Sequence, residues 1–250
     1  MPPRYEVIGI QGIPEIGPGD PVARLIVEAA SRQGTPLASG DLLVIGQKIV
    51  SKAEGRIVRL AAVTPSPAAL SIAAELGRDA RLVEVILRES KRVVRMDRSI
   101  LITETHHGWI CANAGVDQSN VDLDCVALLP EDPDRSARLA REAIRDLTGA
   151  EVAVLIADTF GRPWREGLTN VAVGLSGFAP IRSYLGERDP VGRPLQATIL
   201  ALADELAAAA EPVMGKLDRI PAALVRGLPL TASEEGSKPL RRDPARDLFR

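Results

Sequence analysis

The sequence predicts an α+β protein with mixed or antiparallel sheets and flanking helices. Short apolar runs of strand length are scattered along the chain, and amphipathic stretches at helical spacing lie among them. The two kinds do not alternate in the regular strand–helix–strand order of a doubly wound sheet. The chain is 46% hydrophobic but only 3% aromatic, so its core is built from Val, Ile, Leu and Ala. A length of 250 residues allows one large domain or two small ones.

Taken in order, residues 4–10 alternate enough to be a strand and run into a Gly- and Pro-rich loop at 12–20. A helix is predicted over 21–32, with Asp20 as N-cap and Pro21 at the first helical position. Residues 41–50 read as a strand, followed directly by the SKAEGR segment at 51–56. Ser66 is expected to cap a helix to about Leu76, and Asp79 another to about Glu89. Short β segments fit 93–96, 100–103, 108–112 and 125–129. Residues 133–149 form a clear amphipathic helix ending in Gly149. Further strands are expected at 171–173, 179–184 and 222–225, and an Ala-rich helix at 195–210. The charged, Pro-containing tail from Ala232 is expected to be irregular or draped over a partner.

The most informative stretch is EVAVLIADTFGR, residues 151–162. A continuous apolar run, Val152 to Ala157, reads as a strand buried on both faces; it meets Asp158 and Thr159, and a turn through Gly161 is expected next. A carboxylate and a hydroxyl at the carboxyl end of such a strand suit a hard divalent cation, and Arg162 suits a phosphate. A turn-capping aspartate would look the same in sequence. Three further clusters share the chemical logic. NAGVDQSN (residues 113–120) packs two Asn, an Asp and a Ser around Gly115; GQKIVSKAEGR (46–56) crowds Lys48, Lys52 and Arg56 into one connection; and the loop at 12–20 lets backbone approach a ligand. The loop at 12–20 has neither a P-loop nor a Rossmann fingerprint. Each cluster alone also fits an ordinary polar turn or solvated surface. Together they offer acidic groups for a metal and basic groups for phosphates, the equipment of phosphoryl transfer.

Other classes find little support. The formal net charge of −2 and scarce aromatics argue against nucleic-acid binding. No apolar run approaches membrane-spanning length, and the N-terminus lacks the plan of a signal peptide, so a soluble cytoplasmic protein is expected. Cys111 and Cys125 have neither CxxC spacing nor nearby His, which points away from a zinc site or disulfide framework. His106 and His107 cannot both line one site if that segment is extended. Ser176 in GLSGF lacks the second Gly of a nucleophile elbow.

GIPEIGPGD, SKAEGR, NAGVDQSN, ADTFGRPWREG and MGKLDRIPAALVRG, in this order, resemble the coenzyme F420:L-glutamate ligase family over most of residues 5–230. The resemblance implies a family-specific α+β fold, an intertwined homodimer with active sites near its interface, and a ligase domain at 1–230. It leaves residues 231–250 as a charged tail, without the C-terminal flavin-binding domain of some members. It implies addition of L-glutamate to the terminal carboxylate of the unglutamylated deazaflavin coenzyme. GTP is the co-substrate, GDP and phosphate are released, and further γ-linked additions follow. Mg²⁺ or Mn²⁺ at two divalent sites is implied, with K⁺ as a further candidate ion. By matching motif, Asp117, Asp158 and Thr159 are the implied metal ligands, with Asp117, Asp158 and Lys52 as the catalytic set. The implied nucleotide contacts are Ile13, Pro14, Glu15, Ile16, Gln47, Lys48, Lys52 and Asn120, joined by Met214, Gly215 and Ile220. Arg162 and Arg165 are candidates for the distal carboxylate of glutamate. One departure stands out: some members carry an acidic metal ligand two residues after the Met of MG, whereas this chain has Lys216, which has donors only. Two other readings fit the same clusters: a nucleotide-dependent ligase or kinase acting on another small carboxylate, and a non-catalytic nucleotide-binding homologue.

Overall fold

The computed structural model describes residues 4–97 and 100–247. In chain order, β1 (Glu6–Gly9), α1 (Val22–Gln33), β2 (Leu42–Gly46) and α2 (Gln47–Ala53) come first. There follow β3 (Ile57–Arg59), α3 (Pro67–Leu76), α4 (Ala80–Arg88), β4 (Ser90–Asp97), β5 (Ile100–Thr105), β6 (Ile110–Ala112) and β7 (Cys125–Ala127). The last part holds α5 (Pro133–Thr148), β8 (Ala153–Arg162), β9 (Arg165–Ser176), β10 (Arg182–Ser183), β11 (Ile199–Leu200), α6 (Leu202–Met214) and β12 (Ala222–Arg226). The α+β class and the mixed sheet follow the sequence prediction.

The main sheet has the order β1-β12-β2-β8-β9, and only the β2–β8 pair is parallel. Successive residues point to opposite faces, and both faces are covered. Leu43, Ile45, Val154 and Ile156 pack with α1, α2 and α5, while Leu42, Val44, Leu155 and Ala157 pack with α6 and Phe178. Asp41 is 2% exposed and is held by a two-point ion pair from Arg226, at 2.8 and 2.7 Å, which fastens β12 beside β2. A second, smaller core gathers α3, α4 and the residues around β5 and β7, including Leu82, Ile86, Leu101 and Val126. Ser66, Asp79 and Asp132 cap α3, α4 and α5 by accepting backbone N–H bonds, and Gly149 closes α5 in the left-handed conformation.

Several boundaries differ from those the sequence predicts. Asp20 does not cap α1; its carboxylate accepts from the Gly17 N–H at 2.7 Å and closes the preceding loop. The strand expected over 41–50 ends at Gly46, and Ile49 and Val50 reach the core from a helix instead. Apolar residues in a short run satisfy either geometry, and the sheet needs only five residues to cross here. Strand β8 does not turn at Gly161. It continues to Arg162 because β9 pairs along its edge, with Thr159 opposite Asn170, and the turn falls on Pro163 and Trp164. The Ala-rich helix begins at Leu202 and not at Leu195, since Leu195 bonds to Glu187 and β11 is spent pairing with β10. His106 and His107 lie in a turn, where their rings face the carbonyls of Arg88 and of Pro130 and Glu131. The tail is irregular and lies on its own chain: Ser237 is buried with its N–H and hydroxyl on Asp134, and Arg241 donates to the His107 carbonyl. Its last three residues, 248–250, fall outside those described.

Gly174 of β9 lies against the start of α5, where an added Cβ would come within 2.4 Å of the Pro133 backbone carbon. Gly174→Ala is therefore expected to destabilise the fold by about 1–3 kcal/mol, measured by urea unfolding, with α5 displaced as a unit. A midpoint equal to wild type would mean α5 is not seated on β9 in this way.

Candidate active site

The parallel pair sets the site. Gly46 and Ala157 are register partners, and beyond them β2 bends into α2 while β8 runs on. A cavity of about 460 Å³ opens at this divergence, the kind of place where open α/β sheets bind ligands. Its walls come from Gly46–Ile49, Ala157–Gly161, the loop at 115–120, Asn170 of β9 and the end of α6 through Lys216.

Asp117 reaches the cavity from the smaller core, where its backbone makes a two-way bridge to Ala127. Its carboxylate accepts from Lys48 Nζ at 2.6 Å, from the Ser119 N–H at 2.8 Å and from the Ser119 hydroxyl at 2.7 Å. Burial pushes the Asp117 pKa up, but the Lys48 and Ser119 hydrogen bonds outweigh it, and the net value lies below the ordinary carboxylate range. Lys48 also donates to the Ser119 carbonyl and hydroxyl, so its ammonium is held at the cavity wall. Asp158 takes the opposite course. Burial raises its carboxyl to about 6, against the Thr159 N–H bond that lowers it, and the nearby Asp117 charge adds to the rise. Two carboxylates thus face one cavity with oppositely displaced pKa values, a combination that recurs at functional sites. The Cys111 thiol, also on the wall, is pushed up to about 12 by burial and by the Asp158 charge, which leaves it a poor nucleophile.

On the other side the polar groups close a ring. Thr159 donates to Asn170 Oδ1 at 2.7 Å, and Asn170 Nδ2 donates to Glu211 Oε2 at 2.7 Å. Lys216 Nζ pairs with Glu211 Oε1 at 3.2 Å and donates to the Thr159 hydroxyl at 2.6 Å. Gly215 makes this possible. Its φ of +60° ends α6 and turns the next residue into the cavity, and a Cβ there would meet Asp218 at 2.4 Å. Gln47 is 2% exposed at the cavity wall; its carbonyl oxygen accepts from Ser51, while its amide nitrogen has no partner among the described residues. A buried donor left unpaired carries a free-energy cost that a ligand oxygen would remove.

Of the residues singled out in the sequence, Gln47, Lys48, Asp117, Asn120, Asp158 and Thr159 line the cavity, as do Met214, Gly215 and Ile220. The others lie elsewhere. Ile13 and Ile16 are buried in the core beneath α1 and α2, Pro14 and Glu15 are exposed, and Lys52 pairs with Glu15 on that loop. Arg162 and Arg165 face each other across the exposed hairpin end, with Arg162 donating to the Glu166 carbonyl. Arg56 is an anchor and not part of a basic cluster, binding Glu89 and the Leu129 carbonyl. Ser119, Asn170 and Glu211 were not singled out. Ser119 lies inside the NAGVDQSN segment, and Asn170 is a lone amide just before the apolar part of β9, Val171–Val173. Glu211 lies three residues before Met214 on an Ala-rich helix, where nothing local marks it.

The oxygen donors suit a hard cation. Among the described residues no group of three or more His, Cys, Asp or Glu side chains gathers to hold a metal ion. Two carboxylates, however, are what Mg²⁺ takes from a protein when phosphate oxygens and water complete its shell. Asp117, Asp158 and Thr159 all line the one cavity.

Residues 10–227 match the family described as F420-0:Gamma-glutamyl ligase. The chain belongs to this ligase family. It is 49% identical over 247 residues to the coenzyme F420:L-glutamate ligase of Methanothermobacter thermautotrophicus, covering 98% of each chain. The enzyme of the same name from Methanopyrus kandleri is 48% identical over 241 residues, 94% of each chain. That from Methanocaldococcus jannaschii is 38% identical over 250 residues, covering 99% of this chain and 97% of its own. Among the described residues no helix is long and apolar enough to cross a membrane.

The raised Asp158 pKa has a consequence for stability. Between the ordinary value of 3.8 and about 6 the folded protein holds a proton that the unfolded chain has lost, so stability from this group falls as pH rises through that window. Asp158→Asn removes the titration. In chelator-containing buffer it is expected to exceed wild type by about 3 kcal/mol at neutral pH, the gap closing below about pH 4, read from unfolding midpoints. A gap independent of pH would show that Asp158 is freely solvated.

Proposed function

We propose that this chain joins L-glutamate to the terminal carboxylate of the unglutamylated deazaflavin coenzyme F420, using GTP, with further γ-linked additions. Family membership supports the acceptor and the amino acid. The observation that carries the chemistry is one cavity lined by Asp117, Asp158, Thr159, Lys48 and Lys216, with the Gln47 amide nitrogen that has no partner among the described residues.

A carboxylate resists an amine because it is anionic and lacks a leaving group. In the proposed sequence a carboxylate oxygen of the coenzyme attacks the γ-phosphorus, the bond to GDP breaks, and an acyl phosphate forms. The glutamate nitrogen then attacks the acyl carbon, and phosphate leaves as the amide bond forms. The protein's contribution to such a transfer is positioning and charge neutralisation. Asp117 and Asp158 would hold Mg²⁺ or Mn²⁺, which when bound supplies charge neutralisation to the phosphates. Lys48 and Lys216 present ammonium groups to the same space, and Gln47 offers two N–H donors. Lys52, Asn120 and the loop at 13–16 complete the proposed nucleotide contacts, and Arg162 and Arg165 are proposed for the distal glutamate carboxylate. The proposed working unit is a homodimer. Trp164 and Leu168, 82% and 69% exposed on the hairpin of β8 and β9, are apolar surface that a second copy would cover.

GDP release from GTP, followed with Mg²⁺ or Mn²⁺, is expected to require both glutamate and the deazaflavin and to yield a product heavier by one or more glutamyl units. Release without the deazaflavin would mean another acceptor. Asp158→Ala is expected to lower that rate by at least ~100-fold with the fold intact by circular dichroism. Turnover near wild type at saturating metal would remove Asp158 from the mechanism.

A further inference from the structure

The cavity has two oxygen-lined corners, and they are filled differently. In one, the carboxylate of Asp117 is met by Lys48. In the other, the Thr159 hydroxyl and the Glu211 carboxylate come together, and the positive group on both is the chain's own Lys216. We propose that the Lys216 ammonium takes the place of a second metal cation in this site, so that each chain binds one divalent ion and not two. This rests on the reading under which Asp117 and Asp158 hold a divalent cation.

The local geometry supports a fixed charge. Glu211 is braced by Asn170, which is 4% exposed and itself fastened by Thr159. The positive φ of Gly215 directs Lys216 to this brace. The ammonium therefore lies on Thr159 Oγ1, the one hydroxyl in this corner able to ligate a metal. A lysine has three donors and no lone pair, so it cannot share that oxygen with a cation as a ligand would; it repels one. Its charge also reaches Asp158, where it opposes the effect of burial. Removing the ammonium would leave the Thr159 hydroxyl and the Glu211 carboxylate as oxygen donors in an uncompensated corner, a pair that suits Mn²⁺ when phosphate oxygens and water complete its shell.

The test is a count of bound Mn²⁺ per chain by equilibrium dialysis, with GDP on both sides of the membrane to cancel the nucleotide's own binding. Wild type is expected to bind one ion, Lys216→Met two, and Lys216→Met combined with Glu211→Gln one again. Lys216 is more than half exposed, so the fold should tolerate the change, and a thermal melt checks it. Two ions on wild type, or a single ion on folded Lys216→Met, overturns the proposal. Wild type binding no ion removes the metal site and the proposal with it. Because the count needs neither glutamate nor deazaflavin, an active preparation holding two ions defeats this inference alone. An inactive preparation holding one defeats the ligase reading alone.

Discussion

The parallel pairing of β2 with β8 is the constraint on which the rest depends. Five consecutive register pairs, Leu42 with Ala153 through Gly46 with Ala157, run through the middle of the sheet, and both faces of the pair are buried. Parallel strands need such double cover, and here α1, α2 and α5 supply one layer and α6 the other. Where the pairing ends, one strand becomes a helix and the other keeps going as a hairpin. That divergence creates the cavity and puts Gln47 and Lys48 opposite Asp158 and Thr159. On the far side of β2, β12 pairs antiparallel and brings Pro221, whose carbonyl receives the Gly46 N–H at 2.8 Å, so the mouth of the cavity is pinned from both edges.

Asp117 reaches the same place by a different route. It belongs to the smaller core, and its position depends on the seam between the two cores. The bridge to Ala127, the β3–β7 pairing and the bonds from Arg56 to Leu129 and Glu89 hold that seam. A site assembled across two cores brings groups together that would not be neighbours on one element. Here it sets two carboxylates and two ammonium groups around one volume. The electrostatic imbalance falls on Asp158, which is desolvated without an ammonium of its own, whereas Lys48 satisfies Asp117. Charges held in this way reduce stability and are retained where a ligand will compensate them.

The Thr159–Asn170–Glu211–Lys216 ring has the opposite character, since every member has a partner inside it. The ring fixes the geometry of Asn170, which is buried and would lose a partner if its links to Thr159 or Glu211 broke. The Lys216 ammonium is thus held inside a closed ring, whereas the buried Asp158 carboxyl has no ion pair of its own among the described residues. That asymmetry distinguishes a corner that would admit a metal ion from one that does without.

The sequence by itself determined the apolar runs, and with them the α+β class, the double-faced strand before Asp158 and the caps at Ser66 and Asp79, because these depend on residue type and local spacing. Its motifs also carried the ligase resemblance and most of the cavity residues. It could not determine that Ile49 and Val50 belong to a helix or that β8 runs past Gly161, since both follow from which neighbour lies alongside. The tertiary structure alone decided the fates of the three basic residues Lys48, Lys52 and Arg56. Lys48 and Lys52, four apart on α2, share a helix face, yet one faces the cavity and the other pairs with a surface loop. Arg56 beyond the helix fastens two cores, because each of the three takes the acceptor its tertiary neighbours supply. It alone joined Asn170 and Glu211, 41 residues apart, because a side-chain hydrogen bond across a sheet and a helix leaves no periodic trace in the chain.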